Sequence, residues 1–322
     1  MLDGLSENVG TVGKSSGHSS IGISFQQTIK SSISCRGVGL HSGAPVSMVL
    51  HPAPAGHGVV FRRTDLEDGS NEIPARYDAV TNTTLCSTIA NDAGASVATI
   101  EHLMSAIAGL GVDNLLVELD GPEVPVMDGS AEPFAFLLEC AGIAGQETPR
   151  KAVRILRDVT VTHGGSTVTI SPADEFIVEM VIDFDSAAIG RQNLAVQVSP
   201  ELFRNDIAKA RTFGFLHEVE AMRKAGLGRG GSLENAVVID GDRVMNDEGL
   251  RFTDEFVRHK ILDCIGDLAL AGYPIMGHVV AEKAGHALNN KLLRAVFADP
   301  ANWEVVDVDI LPVGGAFLTA AE

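Results

Sequence analysis

Two segments, one in each half of the chain, share a pattern that constrains the fold more than any other feature. Each predicts a helix that carries a histidine, then a glycine at the helix end, then a strand. The first covers residues 99–119 and holds His102; the second covers residues 254–283 and holds His259. We interpret this as an internal duplication of shape rather than of sequence. Such a chain is expected to form two similar units that pack helix against helix.

The second predicted helix carries the side chains of a metal site. His259 and Asp263 are four residues apart, so both leave the same helix face, one turn apart. Imidazole and carboxylate suit Zn²⁺ or Fe²⁺. If the two helices pack together, His102 joins the pair, and three protein ligands leave a fourth position open, as in catalytic zinc sites. The alternative is a core helix with a solvated polar edge, because a single His-x-x-x-Asp pattern is short and common.

Three further residues suit hydrolysis, which needs a base for the attacking water and a proton donor for the leaving group. Glu101, next to His102, is the candidate base; its alternative is a first-turn acid that complements the helix dipole. His286, predicted in a glycine-bearing loop, is the candidate proton donor. Asp267, one turn beyond Asp263, can keep that imidazole charged. A surface histidine is the alternative for His286.

Lys260 and Thr212 are further candidates. Lys260 follows a predicted ligand and can meet a substrate phosphate or an oxyanion; a solvated helix residue is its alternative. Thr212 lies in a predicted loop before a helix, where its hydroxyl either donates to a polarised carbonyl or caps the helix. The remaining histidines have no matching partner in the sequence, and we expect them to be structural or exposed.

Composition limits the class of protein. The chain has 322 residues, enough for two domains, and its 45% hydrophobic content is that of a globular protein with a core. A net charge of −18 argues against a nucleic-acid binder but not against a small anionic ligand. Four scattered cysteines without a C-x-x-C motif predict reduced thiols and a cytoplasmic location. No uncharged apolar stretch reaches the length of a membrane span.

Strands are predicted mostly in runs, which indicates an α+β architecture rather than the regular alternation of a Rossmann fold or TIM barrel. The Gly- and Ser-rich residues 1–24 are expected to form a flexible leader, and the polar residues 145–150 a linker. Besides the duplicated segments, the patterns predict strands within 25–64 and at 85–90, 151–162, 166–171, 176–184 and 236–240, and helices at 133–142, 200–209, 215–225 and 288–297.

Six motifs together resemble one family, the zinc-dependent UDP-3-O-acyl-N-acetylglucosamine deacetylases of lipid A biosynthesis. The resemblance covers about residues 25–310 and is far more specific than any single motif. In one-letter code the motifs are GVGLHSG at 37–43, EHL at 101–103, MDGSA at 127–131, ARTFGF at 210–215, RHKxxDxxxD at 258–267 and GHALNN at 285–290.

This resemblance implies two similar domains, at 25–147 and 148–322, each a β-sheet with paired helices. The helices would pack between the two sheets, and the metal site would lie at the domain junction. Matched position by position, the family's metal ligands fall on His102, His259 and Asp263. Its catalytic groups fall on Glu101 as the base, His286 as the acid, Asp267 as the partner of that histidine and Thr212 as the carbonyl-polarising hydroxyl.

The resemblance also implies the substrate contacts. Phe213 and Lys260 match substrate-binding positions, and a strand–helix–strand insert at about 213–240 matches an acyl passage. Its apolar candidates are Leu216, Val219, Met222, Ala236 and Val238. The implied cofactor is Zn²⁺, with Fe²⁺ as an alternative, and the implied substrate is UDP-3-O-acyl-N-acetylglucosamine.

The expected reaction gives the 2-amino sugar and acetate, in a cytoplasmic monomer. The alternative function is a non-catalytic nucleotide-sugar or lipid-binding module. Intact Glu101 and His286 argue against that alternative, since binding alone needs neither.

Overall fold

A computed structural model describes residues 22–67, 70–310 and 318–319. Most of the expected leader, residues 1–21, lies outside this part. Among the described residues the predicted α+β architecture is confirmed, with several sheets and six α-helices. No helix of the described residues is both long enough and apolar enough to cross a membrane.

The first part of the chain contains ten strands and two helices. The strands are β1 (Gly22–Ile23), β2 (Phe25–Ile29), β3 (Ile33–Val38), β4 (Pro45–Pro52), β5 (Val59–Arg63), β6 (Glu72–Pro74), β7 (Val80–Asn82), β8 (Thr88–Ala90), β9 (Ser96–Val97) and β10 (Leu115–Leu119). The helices are α1 (Glu101–Gly109), before β10, and α2 (Glu132–Ala141), after it.

The second part contains the remaining described elements. Its strands are β11 (Ile143–Pro149), β12 (Lys151–Ile155), β13 (Val159–His163), β14 (Ser166–Ser171), β15 (Phe176–Asp183), β16 (Arg191–Gln197), β17 (Phe213–Phe215), β18 (Val237–Asp240), β19 (Arg243–Val244), β20 (Ile275–Glu282), β21 (Trp303–Asp307), β22 (Asp309–Ile310) and β23 (Leu318–Thr319). Its helices are α3 (Pro200–Leu202), α4 (Leu216–Lys224), α5 (Glu255–Leu268) and α6 (His286–Ala298).

The two parts repeat one sheet topology. The first sheet has the order β3-β4-β10-β5-β6, and the second contains the equivalent order β13-β14-β20-β15-β16. In both, the strand that follows the histidine-bearing helix is central, antiparallel to one neighbour and parallel to the other. One helix precedes each central strand and one follows it. The duplication inferred from the sequence therefore extends to strand order and direction.

Burial alternates along the strands, as expected for sheets with one face on a core. In β4 the inward side chains are Val46, Met48 and Leu50, and in β15 they are Val178, Met180 and Ile182. Helices α5 and α6 pack on the second sheet, and α1 packs against α5. Ligand-bearing helices of the two units thus meet in the interior.

The contact between α1 and α5 requires a glycine. Gly266 of α5 faces the main chain of Glu101 at the start of α1, and a Cβ at residue 266 would lie 2.0 Å from the Glu101 carbonyl oxygen. No side chain fits at that distance, because real Cβ atoms essentially never approach so closely. This close approach brings the N-terminal turn of α1 against the C-terminal turn of α5.

Four local predictions differ from the structure. The expected linker at 145–150 largely forms β11, which pairs antiparallel with β2. The predicted helix at 200–209 is the short α3 followed by a π-helical turn at Phe203–Ile207. His286 begins α6 instead of lying in a loop. Residues 22 and 23 of the expected leader form β1, which pairs with β22. The domain boundaries at 25–147 and 148–322 stay predictions.

Candidate active site

The three predicted metal ligands lie together where α1 packs on α5. His102 is the second residue of α1, and His259 and Asp263 lie one turn apart on α5. One ligand atom of each residue lies within 4.8 Å of the other two, and all three residues are buried. Asp263 Oδ1 lies 3.6 Å from His102 Nε2 and 3.4 Å from His259 Nε2. Helix packing therefore brings together ligand atoms from both units.

The chemistry of these atoms fits a metal ion. The Nδ1 atom of His259 lies 3.0 Å from the carbonyl oxygen of Ala210, so Nδ1–H donates there and Nε2 keeps its lone pair for a metal. Asp263 Oδ1 is buried and accepts no hydrogen bond from the described residues, which suits an oxygen reserved for a cation. Burial lowers the pKa of His259 to about 4, so the imidazole stays neutral and able to coordinate.

The other oxygen of Asp263 binds Lys260. The ammonium group of Lys260 donates to Asp263 Oδ2 over 2.7 Å. Burial acts to raise the pKa of Asp263, but His259 and Lys260 hold it well below its ordinary value. Burial likewise acts to lower the pKa of Lys260, but Asp263, Asp267 and Glu101 raise it above its ordinary value. The site therefore keeps one ionised carboxylate ligand with a fixed ammonium beside it.

Glu101 is the first residue of α1 and lies beside the ligands without joining them. Its Oε2 atom accepts the Ser87 N–H at 3.0 Å, and its Oε1 atom lies 4.0 Å from His286 Nε2. Burial, opposed by His286 and His102, raises the pKa of Glu101. A carboxylate with a raised pKa is better matched to proton transfer near neutral pH. The position in the first turn of α1 also suits an acid that complements the helix dipole, so the geometry is compatible with both interpretations of Glu101.

His286 and Asp267 form a hydrogen-bonded pair beside Glu101. His286 Nδ1 lies 2.8 Å from Asp267 Oδ2, which also accepts from Asn289 Nδ2 at 2.8 Å. Burial acts to lower the pKa of His286, but Asp267, with Glu101 and Asp263, raises it to about 9. His286 is therefore protonated near pH 7, with Nε2–H directed toward Glu101. This imidazole lies at the start of α6 with 11% of its side chain exposed, so it is not a surface histidine.

Thr212 lies in a segment held tightly beside α5. Its N–H donates to the Gly129 carbonyl over 2.8 Å, and its own carbonyl accepts from Val237 N–H over 2.8 Å. Gly129 has φ +82°, and a Cβ there would lie 2.0 Å from the Asn235 carbonyl oxygen. Two residues earlier, Ala210 binds the ring of His259. The backbone thus brings Thr212 near His259, a candidate metal ligand. The Thr212 hydroxyl does not cap a helix, because β17 follows directly.

A buried ion pair fixes this segment to α5. Arg211 is 2% exposed, and its Nε donates to Oε1 of Glu255, the fully buried first residue of α5. The Arg211 N–H donates to the same oxygen over 2.9 Å. Its guanidinium also reaches Glu248 Oε1 and the Gly249 carbonyl. This pair positions both the Ala210 carbonyl and Thr212 relative to His259.

Phe213 joins the ligand region to an aromatic cluster. Its ring centroid lies 6.2 Å from that of His259 and 4.9 Å from that of Phe256. Phe184 packs edge-on against Phe213 at 5.8 Å and lies 6.0 Å from Phe215. An apolar wall therefore runs from a metal ligand to the end of β17, where α4 begins.

The apolar candidates of 213–240 lie on this side of the protein. β17, α4 and β18 follow one another as strand, helix and strand, and β17 pairs parallel with β18. On α4, Leu216, Val219 and Met222 recur every third residue and are partly exposed, while no residue of α4 is buried. Ala236 precedes β18 and is partly exposed; Val238 within β18 is buried. The α4 residues thus present an incompletely covered apolar face.

A separate cavity is lined by the C-terminal parts of α1 and α5. Its walls include Met104 and Ile107 of α1, Ile265 and Leu268 of α5, and Arg150. None of the candidate catalytic, metal-binding or substrate-binding residues lines it. It lacks the His and Glu side chains that the chemistry requires.

Several supporting groups were missed by the sequence analysis. Ser87 contacts both acidic groups, Asn289 binds Asp267, and the Ala210 carbonyl orients His259. Asn289 lies within the GHALNN motif, which was a usable signal. Nothing in the sequence distinguishes Ser87 or a main-chain carbonyl from their neighbours.

Fold and site together define a class of protein. Two similar sheet-and-helix units contribute three candidate ligands beside a carboxylate and a protonated imidazole, an arrangement of the kind that metal-dependent hydrolases use. A family model described as UDP-3-O-acyl N-acetylglycosamine deacetylase matches residues 26–298. The chain belongs to this family.

Individual relatives agree with the family match. A Myxococcus xanthus protein named UDP-3-O-acyl-N-acetylglucosamine deacetylase is 51% identical over 281 residues, covering 87% of this chain and 89% of that protein. A protein of the same name from Stenotrophomonas maltophilia is 50% identical over 287 residues, with 88% and 94% covered. Another from Shewanella violacea is 47% identical over 287 residues, again with 88% and 94% covered.

Proposed function

We propose that this protein hydrolyses the N-acetyl group of UDP-3-O-acyl-N-acetylglucosamine, giving the 2-amino sugar and acetate, as a step of lipid A biosynthesis. The observation that carries the proposal is the placement of Glu101 Oε1 4.0 Å from His286 Nε2, directly beside the three-ligand cluster. Relatives covering most of the chain carry the name of this deacetylase. A binding module would need neither group.

His102, His259 and Asp263 would hold the metal ion, which we propose to be Zn²⁺, with Fe²⁺ as the alternative. When bound, such an ion lowers the pKa of a water molecule and polarises the amide carbonyl. The ligand set of two imidazoles and one carboxylate suits either ion. The Ala210 carbonyl and the Lys260 ammonium keep His259 and Asp263 in the orientation that the structure shows.

The proton-transfer steps that we propose follow from the placement of Glu101 and of the Asp267–His286 pair. Glu101 accepts a proton at Oε1 from the attacking water, whose oxygen bonds to the acetyl carbon. The Thr212 hydroxyl donates to the carbonyl oxygen as negative charge develops there. His286 gives the proton on Nε2 to the departing nitrogen when the carbon–nitrogen bond breaks. Asp267 keeps the proton on His286 Nδ1, so only Nε2 is used.

Substrate binding would use the groups around this centre. Lys260 offers its ammonium to the phosphates or to the developing oxyanion, and Phe213 packs against the sugar side of the site. The partly exposed apolar face of Leu216, Val219 and Met222 would receive the acyl chain, with Ala236 and Val238 beside it. Such a face is an ordinary complement to a hydrocarbon chain, because burial of each CH₂ contributes about 0.8 kcal/mol.

The direct test supplies the acetylated nucleotide sugar to purified, zinc-loaded protein and measures acetate and free amine. We expect the two products in equal amounts, and none from substrate that was deacetylated beforehand. Tight binding of the nucleotide sugar without acetate release would instead identify a binding module. Metal analysis of protein purified without added zinc decides between Zn²⁺ and Fe²⁺. The cytoplasmic location and the monomeric state remain predictions, the latter checked by light scattering.

A further inference from the structure

All three polar groups of Ser87 are used at the centre of the site. Ser87 is 2% exposed and lies just before β8. Its N–H donates to Glu101 Oε2 over 3.0 Å, and its carbonyl accepts from Ile100 N–H over 3.4 Å. Its hydroxyl donates to Asp267 Oδ1 over 2.5 Å. One residue of the first unit therefore contacts the candidate base and also the carboxylate that holds the candidate acid.

These contacts decide which oxygen of each carboxylate is left for catalysis. Because Glu101 Oε2 takes the Ser87 N–H, Oε1 is the oxygen that faces His286. Because Asp267 Oδ1 takes the Ser87 hydroxyl, Oδ2 is the oxygen that binds His286 Nδ1. The resulting 4.0 Å between Glu101 Oε1 and His286 Nε2 is too long for a direct hydrogen bond, yet one substrate atom can contact both.

The main chain around Ser87 is held in an unfavourable conformation. Leu85, two residues earlier, has φ +68°, a region that costs free energy for a residue with a branched side chain. Thr99, next to the Ile100 that binds the Ser87 carbonyl, has φ +58°. Such conformations persist only where the surrounding contacts impose them. The orientation of Ser87 is therefore set by the site and by the pairing of β8.

We propose that Ser87 is a positioning residue that fixes the separation and alignment of the proton acceptor Glu101 and the proton donor His286. This inference rests on the proposed function and adds a residue to its machinery. Ser87 touches no reacting atom; it acts through the two carboxylates. Its hydroxyl couples the first unit to Asp267 of the second, so proton transfer depends on a contact between residues 180 positions apart.

The hydroxyl should also weaken the effect of Asp267 on His286. The charged groups that face His286 are Asp267 and Asp263 on α5 and Glu101 on α1, with Lys260 interacting with all three carboxylates. A donor on Asp267 Oδ1 offsets part of the negative charge that the imidazolium experiences. Without that donor the imidazolium holds its proton more strongly. A general loosening of the site would instead let in water, which would screen Asp267 and lower the pKa of His286.

The test compares Ser87→Ala with Ser87→Thr, which keeps a hydroxyl, and with Ser105→Ala as the matched control. Ser105 is a buried serine of α1 whose hydroxyl has no partner among the described residues. For Ser87→Ala we expect kcat to fall about tenfold with KM within about twofold, because alignment in the transition state is lost. The alkaline limb of the kcat profile should move up by about half a pH unit. Ser87→Thr should restore both, and Ser105→Ala should change neither.

A second readout does not depend on turnover. NMR titration of the His286 imidazole in zinc-loaded protein, assigned by its absence in His286→Gln, should show the same upward shift in Ser87→Ala. If Ser87→Ala does not fold, Ser87→Cys replaces it, since a thiol is a weak donor of similar size. Unchanged kcat with an unchanged titration, or a downward shift, overturns the proposal. A parent protein that releases no acetate rejects the proposed function, while the titration still decides the role of Ser87.

Discussion

The two sheet-and-helix units place five strands in the same order, but they contribute very different side chains to the site. From the first unit come one candidate ligand, His102, the proposed base Glu101 and the proposed positioning residue Ser87. From the second come two candidate ligands, the ammonium of Lys260 and the Asp267–His286 pair. Helix α1 has nine residues and α5 has fourteen, so α5 presents polar side chains over three successive turns. Both units provide the same scaffold, and the second unit provides most of the candidate site residues.

This asymmetry determines what each unit needs from the other. Buried polar groups on α5 cost free energy unless they find partners. Asp267 finds Ser87 in the first unit, and Asp263 lies beside His102. The Oδ2 atoms of Asp263 and Asp267 have partners within the second unit, but the partner of Asp267 Oδ1 comes from the first. The comparison therefore predicts that a single substitution among the few site residues of the first unit lowers metal binding or activity as much as one among the site residues of the second.

The largest expected effect is loss of the metal. His102→Ala, the only ligand change in the first unit, should reduce metal affinity as strongly as His259→Ala or Asp263→Ala. Each removes one of three ligands, so the loss should exceed the roughly 10–100-fold seen when only an outer partner is changed. Metal content after dialysis measures it. His51→Ala, on the outer side of the first sheet, is the control; undiminished metal in His102→Ala would remove that residue from the ligand set.

Glu101→Ala should keep the metal but lower the rate by about 10² to 10⁴, the usual contribution of a positioned proton-transfer group. The reason is that Glu101 accepts a proton without coordinating. Steady-state kinetics with parallel metal analysis checks both parts. Glu118→Ala, another carboxylate of the first unit that pairs with His51 and Arg62, is the matched control. Near-normal turnover of Glu101→Ala would show that another group is the base.

The stability of the two units should respond differently to loss of an arginine. Arg211→Met leaves Glu255 buried without its partner and should cost about 3–5 kcal/mol of unfolding free energy. Arg62→Met removes two partly exposed ion pairs, with Glu72 and Glu118, and should cost only about 1 kcal/mol. Urea denaturation measures both. Equal losses in the two variants would argue against a structural role for the Arg211–Glu255 pair.

The smallest expected effect is a shift in pH dependence. Because His286 must be protonated to donate, activity should fall as pH rises through its pKa of about 9. Asp267→Asn removes the charge that raises this pKa, so the falling limb should move down by about 1–3 pH units. His286→Gln should lose most activity together with that limb. The limbs belong to a coupled site, so the pH profile of each variant is compared with that of the parent protein. An unmoved limb in Asp267→Asn would make His286 a bystander.

Sequence reasoning predicted the duplicated units and the residues that the structure brings together around His102, His259 and Asp263, because side-chain chemistry and helical spacing are local signals. The i, i+4 spacing of His259 and Asp263 leads directly to their shared face on α5. Local signals could not predict that α1 approaches α5 closely enough to require Gly266, because that contact joins residues far apart in the chain. Ser87 was missed for the same reason.

Two local errors have physical causes. The segment at 145–150 was expected to be a linker because it is polar. In the structure it belongs to β11, which pairs with β2. Because no residue of β11 is buried, its sequence lacks the hydrophobic pattern that would have indicated a strand. His286 was placed in a loop because Gly285 precedes it. That glycine is instead the extended residue before the first turn of α6, with φ −154°. In both cases the composition indicated that an element ends, but it did not indicate which element comes next.

The strand order of each unit has a consequence for folding during synthesis. The central strand of each sheet comes later in the chain than the two strands that flank it. Strand β10 inserts between β4 and β5, and β20 inserts between β14 and β15. Strand β20 begins more than 90 residues after β15 ends. Until each central strand is made, the inner edges of its neighbours are unpaired and can join other chains. Such long-range pairing slows folding and raises the risk of aggregation. The nascent chain should therefore depend on chaperones until residue 282 has left the ribosome, and truncation before β20 should give insoluble protein.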